Sequence, residues 1–344
     1  VGRLGVLLVL VALVVPSAAS AHPPRLPKWA PVATGSTQQH RGLDAVGPRV
    51  VWLAGTAGEV LRTVDGGRTW QNVSPPGAGA LQFRDVEAQD AWRASVLAIG
   101  EGDASRIYTT FDGGRTWTTA FVNDDPAAFY DCMDFYAGGK RGLALSDPVG
   151  GKFRIAATDD RGRTWHVLPN AGMPAAADGE FAFAASGTCL VTRGRDAWFA
   201  TGGGASRVFH SRDGGVTWTV SAAPIPAAPA GGVFSLAFRN PREGVMVGGD
   251  FTAPTNGSKA SGFSRDGGTT WTQGGDLTGY RSGVDWVAFS PATLIAVGPT
   301  GSDITFDGGR SWKPFDTAAY DAVDCVPQTC WASGPAGASA VLTR

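Results

Sequence analysis

Apolar residues in this chain come in short runs separated by glycine-rich turns, and the runs recur in one order. Gly42-Leu-Asp-Ala-Val46 alternates. Val50-Val-Trp-Leu-Ala54 is continuously apolar and stops at Gly55. Val60-Leu-Arg-Thr-Val64 then runs into Asp65-Gly66-Gly67, and Thr69-Trp-Gln-Asn-Val73 leaves it. Short β-branched and aromatic runs with this punctuation predict antiparallel strands, four to a unit. Asp-Gly between two such runs predicts a tight hairpin. The same order returns at Leu81 to Val86, Ala91 to Ile99 and Arg106 to Thr110. It returns again from Phe129 to Ala157, from Phe181 to His210, from Val233 to Phe263 and from Val284 to Phe306.

Each unit closes on one box, Asp-x-Gly-x-Thr/Ser-Trp, with Ser or Thr two residues before the Asp. The pairs are Asp65 and Trp70, Asp112 and Trp117, Asp160 and Trp165, Asp213 and Trp218, Asp266 and Trp271, and Asp307 and Trp312. The Asp positions lie 47, 48, 53, 53 and 41 residues apart. That period predicts a repeat architecture in which each unit buries its apolar face against its neighbours. Tyr320 to Cys325, Cys330 to Ala332 and Ala340 to Thr343 form a seventh unit lacking a fourth strand. Pro27-Lys-Trp29-Ala-Pro-Val32 supplies it, with Trp29 standing where a box Trp stands. Joining the two segments closes a ring and removes open sheet edges. The expected fold is all-β, a seven-bladed β-propeller of four-stranded antiparallel blades, six of them boxed.

Residues 1–21 read as a secretory signal peptide. Arg3 precedes an apolar stretch from Leu4 to Val15, and Ala19-Ser20-Ala21 offers a cleavage site. Residues 22–344 then form a single propeller domain with no further long apolar run, hence no transmembrane segment after cleavage, and the product is expected to be secreted or periplasmic and monomeric. Net charge is −1 and pI near 6.5, which argues against a nucleic-acid partner. Four Cys in an oxidising compartment suggest disulfides. Cys325 and Cys330 bracket a short turn, leaving Cys132 and Cys189 to link successive repeats. Metal binding is the rival use, without a Cys-x-x-Cys or His cluster to support it. No cofactor motif or metal site is expected: Gly100-Glu-Gly102 lacks a helix to open, and Gly202-Gly-Gly204 reads as a turn.

The box matches the Asp-box, or bacterial neuraminidase repeat, in which Asp, Gly and Thr/Ser build a hairpin between the third and fourth strands. The blades resemble those of the photosystem II stability/assembly factor-like group, as in Trp52-Leu-Ala-Gly-Thr-Ala-Gly58 leading to Trp70. The WD40/YVTN-like repeats are the wider superfamily. The resemblance implies a non-catalytic scaffold that holds a protein client through one face. Some exported relatives carry an enzyme name such as oxidoreductase without an evident cofactor site. Exo-sialidases share the box and would need Arg25, two further Arg, a Tyr–Glu pair and an Asp in one pocket, so glycoside hydrolysis is the alternative. The partner is expected to be a protein or glycan of the cell envelope or medium.

Propellers bind across one end of the central channel, so polar residues on the innermost strands are the candidate binding face. They are Arg84, Asp85, Glu87, Asp131, Asp134, Glu180, Arg239, Arg281, Asp285 and Asp321, with Asp324 beside them. The polar turn Ser146-Asp147-Pro148 to Lys152 is a second candidate. No catalytic residue is assigned. Arg residues of the third strands and boxes, such as Arg62, Arg115 and Arg163, either form a client patch or cover Trp rings.

Overall fold

The computed structural model describes residues 1–2 and 26–343. Nearly all of the signal-peptide segment, and Arg25, lie outside the described residues. Seven antiparallel sheets follow one another around a ring. Blade 1 contains His40–Ala45, Val51–Gly55, Val60–Thr63 and Gln71–Asn72 from inside to outside. Blade 7 contains Ala322–Val326, Thr329–Ser333 and Ser339–Thr343, completed by Lys28–Pro31 from the other end of the chain. Lys28 pairs with Thr343 and Pro31 with Ala340.

Trp29 does stand where a box Trp stands. Its indole N–H donates to Ser302 Oγ on the third strand of blade 6, at 3.0 Å. Trp312 of blade 6 donates in the same way to Ser261 Oγ on blade 5, at 3.2 Å. The other box rings also lie at blade seams. Trp70 meets Trp331 edge to face, Trp117 meets Trp52, and Trp271 packs against the cluster that contains Trp198 of blade 4.

The six box loops share one hydrogen-bond pattern. In the first, Thr63 Oγ1 donates to Asp65 Oδ1 and accepts the Gly67 N–H. Asp65 then accepts from the Thr69 N–H and hydroxyl. The same bonds recur around Asp112, Asp160, Asp213, Asp266 and Asp307. Gly66 and Gly67 sit at φ of 77° and 80°, where a Cβ is strained. Box loops lie beside the turns between first and second strands: the Gly66 N–H donates to Arg49 O, and Gly267 to Arg242 O. They therefore occupy one end of the ring, and every third-strand entrance opens at the other. Arg62 and Arg115 lie over Trp92, and Arg163 over Phe111, so these Arg cover aromatic rings.

Blade 4 departs from the expectation. Its innermost strand is Leu190–Arg193, not Phe181 to Ala185. Glu180–Phe181 instead pairs with Gly202–Gly203, which pairs onward to Gly232 of blade 5, so the glycines form a bridge rather than a turn. The reason is aromatic packing. Phe183 stacks on Phe234 with centroids 3.7 Å apart, and Phe234 meets Tyr280 edge to face, so the segment is drawn across the ring mouth. Two disulfides are present, Cys132–Cys189 between blades 3 and 4 and Cys325–Cys330 within the first hairpin of blade 7.

Candidate functional site

The innermost strands carry two sets of candidate side chains, separated by β-bulges. Register shifts fall at His40/Gly42, Phe83/Asp85, Tyr130/Cys132 and Val233/Ser235. A bulge leaves one residue unpaired and re-aims its side chain. Here those residues are Arg41, Arg84, Asp131 and Phe234, and all four line one cavity. Tyr280 and Asp321, just before the inner strands of blades 6 and 7, line it too. The cavity measures about 1080 Å³ and opens at the end opposite the boxes. More of its wall comes from the segment 176–185, from Asp147 and Pro148 at the end of the second strand of blade 3, Gly142–Val149, and from Phe129 and Phe251.

Charge is distributed unevenly around this mouth. Arg41 lies 3.8 Å from Asp321, which also accepts from Gln39 at 2.8 Å. Burial and the neighbouring Arg41 push the Arg84 guanidinium down to about 10. Arg84 donates to Ala184 O and to Gln82 Oε1. On the next blade, burial and then repulsion from Asp147 raise the Asp131 carboxyl well above the carboxylate range, with Arg84 opposing.

Deeper in the channel the carboxylates join blades. Asp85 accepts the Met133 N–H at 2.7 Å, Asp285 the Cys325 N–H at 2.7 Å and Asp324 the Ala45 N–H at 2.6 Å. Asp44 accepts from Ala88, and Asp134 from Thr192. Each of these bonds crosses to the inner strand of the next blade. Ser235 does the same for Val284 at 3.0 Å, and at the seam between blades 4 and 5 the Thr188 and Ser235 hydroxyls meet at 2.6 Å. Burial pushes Asp85 and Asp285 up to about 8, with added repulsion from Asp134 and from Asp324 respectively, and burial pushes Asp134 up to about 6 against the hydrogen bonds it accepts from Thr192. Burial followed by repulsion from Asp134 and Asp44 raises Glu87 as well.

The candidate residues thus separate into groups. Arg84, Asp131 and Asp321 meet at the mouth, while Asp85, Glu87, Asp134 and Asp285 lie along the channel. Glu180 is in the mouth wall, but its carboxylate is taken up by Arg207, Thr201 and the Ala177 N–H. Arg281 is fully buried and locked onto Asp303 at 2.7 Å. Arg239 sits at the far, box end with Glu243 and Pro291. Sequence reasoning missed Arg41, Asp44, Phe234 and Tyr280. A signal was present: Arg41 and Asp44, Arg84 and Glu87, Asp131 and Asp134, and Asp321 and Asp324 are all polar pairs three residues apart.

The raised carboxyls set a pH dependence. Their unfolded-state values lie near the ordinary Asp value of about 3.9. The folded protein therefore binds more protons than the unfolded chain between about pH 4 and pH 8, and stability falls as pH rises through that window. The box residues Asp65 and Asp112 act oppositely: hydrogen bonds from Thr69 and Thr116 hold them at about 2, a contribution lost as pH falls through the acid range. Unfolding midpoints are expected to peak in mild acid and decline toward pH 8. Asp85→Asn, which keeps an oxygen for the Met133 N–H, flattens the decline. A midpoint that rises steadily from pH 4 to pH 8 contradicts this account.

The structure of YCF48 bound to D1 peptide superimposes with a TM-score of 0.66, covering 96% of this chain and 100% of that one at 16% identity. The chain is similar in fold to YCF48. YCF48 from Cyanidioschyzon merolae gives a TM-score of 0.61 at 16% identity over 91% of this chain and 98% of that one. An ancestral GH74 enzyme gives 0.65 at 14% identity, covering 90% of this chain and 45% of the enzyme. These likenesses establish the propeller fold. No family model matches the sequence. No curated protein matches it either.

Proposed function

We propose that this chain is an exported, non-catalytic propeller that holds a protein or glycan partner in the mouth opposite the boxes, in the manner of an assembly or stability factor. The observation that carries the reading is the set of bulged residues. At one equivalent place four blades present Arg41, Arg84, Asp131 and Phe234, two guanidinium groups, a carboxyl and a phenyl ring on a repeating frame. A repeat whose equivalent positions differ in chemistry where they face a cavity of about 1080 Å³ suits recognition of a partner. The fold likeness to YCF48, which has been seen bound to a peptide, favours a polypeptide partner. The box repeats favour the photosystem II stability/assembly factor-like group as its family. Two disulfides suit an extracytoplasmic site, and among the described residues no helix is long and apolar enough to cross a membrane.

Glycoside hydrolysis is the second reading, because Arg41, Arg84 and Tyr280 do meet at one cavity. The nucleophile argues against it. Burial pushes the Tyr280 phenol up, where an activated Tyr must come down, and Glu180 is committed to Arg207. The test is affinity capture from a cell-envelope fraction alongside a glycan array, using wild type and an Arg41→Ala/Arg84→Ala variant. Wild type is expected to retain a partner that the variant releases. Retention of nothing, or equal retention by both, overturns the binding reading. Turnover of a fluorogenic sialoside replaces it with the hydrolase.

A further inference from the structure

One part of the mouth is left chemically incomplete. Asp131 is only 2% exposed, yet its Oδ2 has no hydrogen-bond partner. A buried carboxylate oxygen without a donor is costly, and native structures rarely keep one without a use. Asp147 faces the same cavity and accepts one bond, from the Ala182 N–H at 2.8 Å. The nearest built-in cation does not complete the pair, since Arg84 donates to Ala184 O and Gln82 Oε1 and makes no bond to Asp131. Phe129 and Phe181 line the same cavity, and their backbones adjoin the two carboxyl-bearing segments: the Asp147 N–H donates to Phe129 O, and Phe181 precedes Ala182, whose N–H Asp147 accepts.

We infer that Asp131 and Asp147 form a receptor for an organic cation, the ammonium or guanidinium head of a lysine or arginine side chain on the partner, seated against Phe129 and Phe181. This rests on the partner-binding reading and names the chemistry that reading leaves open. A positive head supplies the donors that Asp131 Oδ2 lacks and neutralises the repulsion between the two carboxyls. An apolar stem suits the phenyl walls, and an aromatic face attracts a cation. A bare metal ion suits the place poorly, because it demands several oxygens, and among the described residues no group of three or more His, Cys, Asp or Glu is arranged to hold one. Burial and then repulsion from Asp147 raise the Asp131 carboxyl, with Arg84 opposing, and burial pushes Asp147 up to about 7, so a bound cation is expected to lower both.

The test uses benzylamine as probe, with benzyl alcohol as its neutral counterpart, titrated calorimetrically into the intact protein. Benzylamine is expected to bind and benzyl alcohol to bind at least tenfold more weakly. Asp131→Asn and Asp147→Asn each weaken benzylamine by about ten- to a hundredfold, the loss of one charge-assisted contact. Asp147→Asn keeps an oxygen for the Ala182 N–H, and each variant's thermal unfolding is recorded so that loss of fold is separated from loss of site. Absence of benzylamine binding, equal binding of the alcohol, or unchanged affinity in both variants overturns the inference. A phage-displayed library of random peptides forms the second arm. Selection on wild type is expected to enrich Lys or Arg at one position, and selection on Asp131→Asn is expected to lose that enrichment. Selected peptides without a basic position overturn the lysine or arginine assignment. If benzylamine binds and depends on the aspartates while neither library nor envelope yields a partner, the cation receptor stands and the scaffold reading falls.

Discussion

Trp29→Ala is expected to lower the unfolding free energy by about 3–5 kcal/mol, the range for truncating a large buried aromatic. Trp29 is 5% exposed and packs against Tyr320 and Phe315 with centroids at 5.6 and 6.0 Å. Its loss also orphans the Ser302 contact at the seam between blades 6 and 7. The effect is not purely local, because Lys28–Pro31 is the strand that closes blade 7. Removing those residues bares the edge of Ser339–Thr343 and invites association between chains. Urea unfolding followed by fluorescence measures the first effect, and light scattering measures the second. Trp29→Phe retains most of the packing and loses the indole donor, so an intermediate loss is expected. A change below 1 kcal/mol for Trp29→Ala sinks the claim that this strand locks the ring.

The two disulfides are expected to contribute unequally. Cys132–Cys189 closes a loop of sequence separation 57, and Cys325–Cys330 one of 5. Loop-closure entropy assigns them about 4 and about 2 kcal/mol respectively. The first also joins two blades: Cys132 and Cys189 are both fully buried in the core cluster that includes Phe153 and Phe199. Cys325–Cys330 lies at one end of a hairpin already paired over five positions. A Cys132→Ala/Cys189→Ala protein should therefore unfold at markedly lower urea than Cys325→Ala/Cys330→Ala. Equal losses, or the reverse order, refute the assignment.

The fold was readable because its signals are local and repeated. Asp-Gly hairpins, apolar second strands such as Val51–Gly55 and the misplaced Trp29 each carry information in a few adjacent residues. The error at Phe181 to Ala185 has the opposite origin. An aromatic alternating run satisfies the strand pattern equally well in an inner strand or across the mouth, and only the stacking of Phe183 on Phe234, 51 residues later, decides between them. The site was partly legible for a similar reason. Carboxylates on inner strands were visible, but whether a given one faces the cavity or clasps a neighbour depends on a bulge. Asp131 is the bulged residue of its strand, whereas Asp85 comes just after one. No property of either residue type distinguishes them. Arg41 was passed over because one Arg in a polar stretch carries no mark, although its spacing to Asp44 matches that of Asp131 to Asp134.

Ring closure also fixes where this protein can be tethered. Lys28 and Thr343 lie side by side, with the Thr343 hydroxyl donating to Lys28 O at 3.2 Å, on the two outermost strands of blade 7. Any chain attached before Lys28 or after Thr343 departs from the outer rim, a full blade width from the axis. An anchor or fused domain at either position leaves the mouth clear to a large partner. Both attachments also pull on the same blade, so a load between them runs through one pair of strands and spares the other six blades.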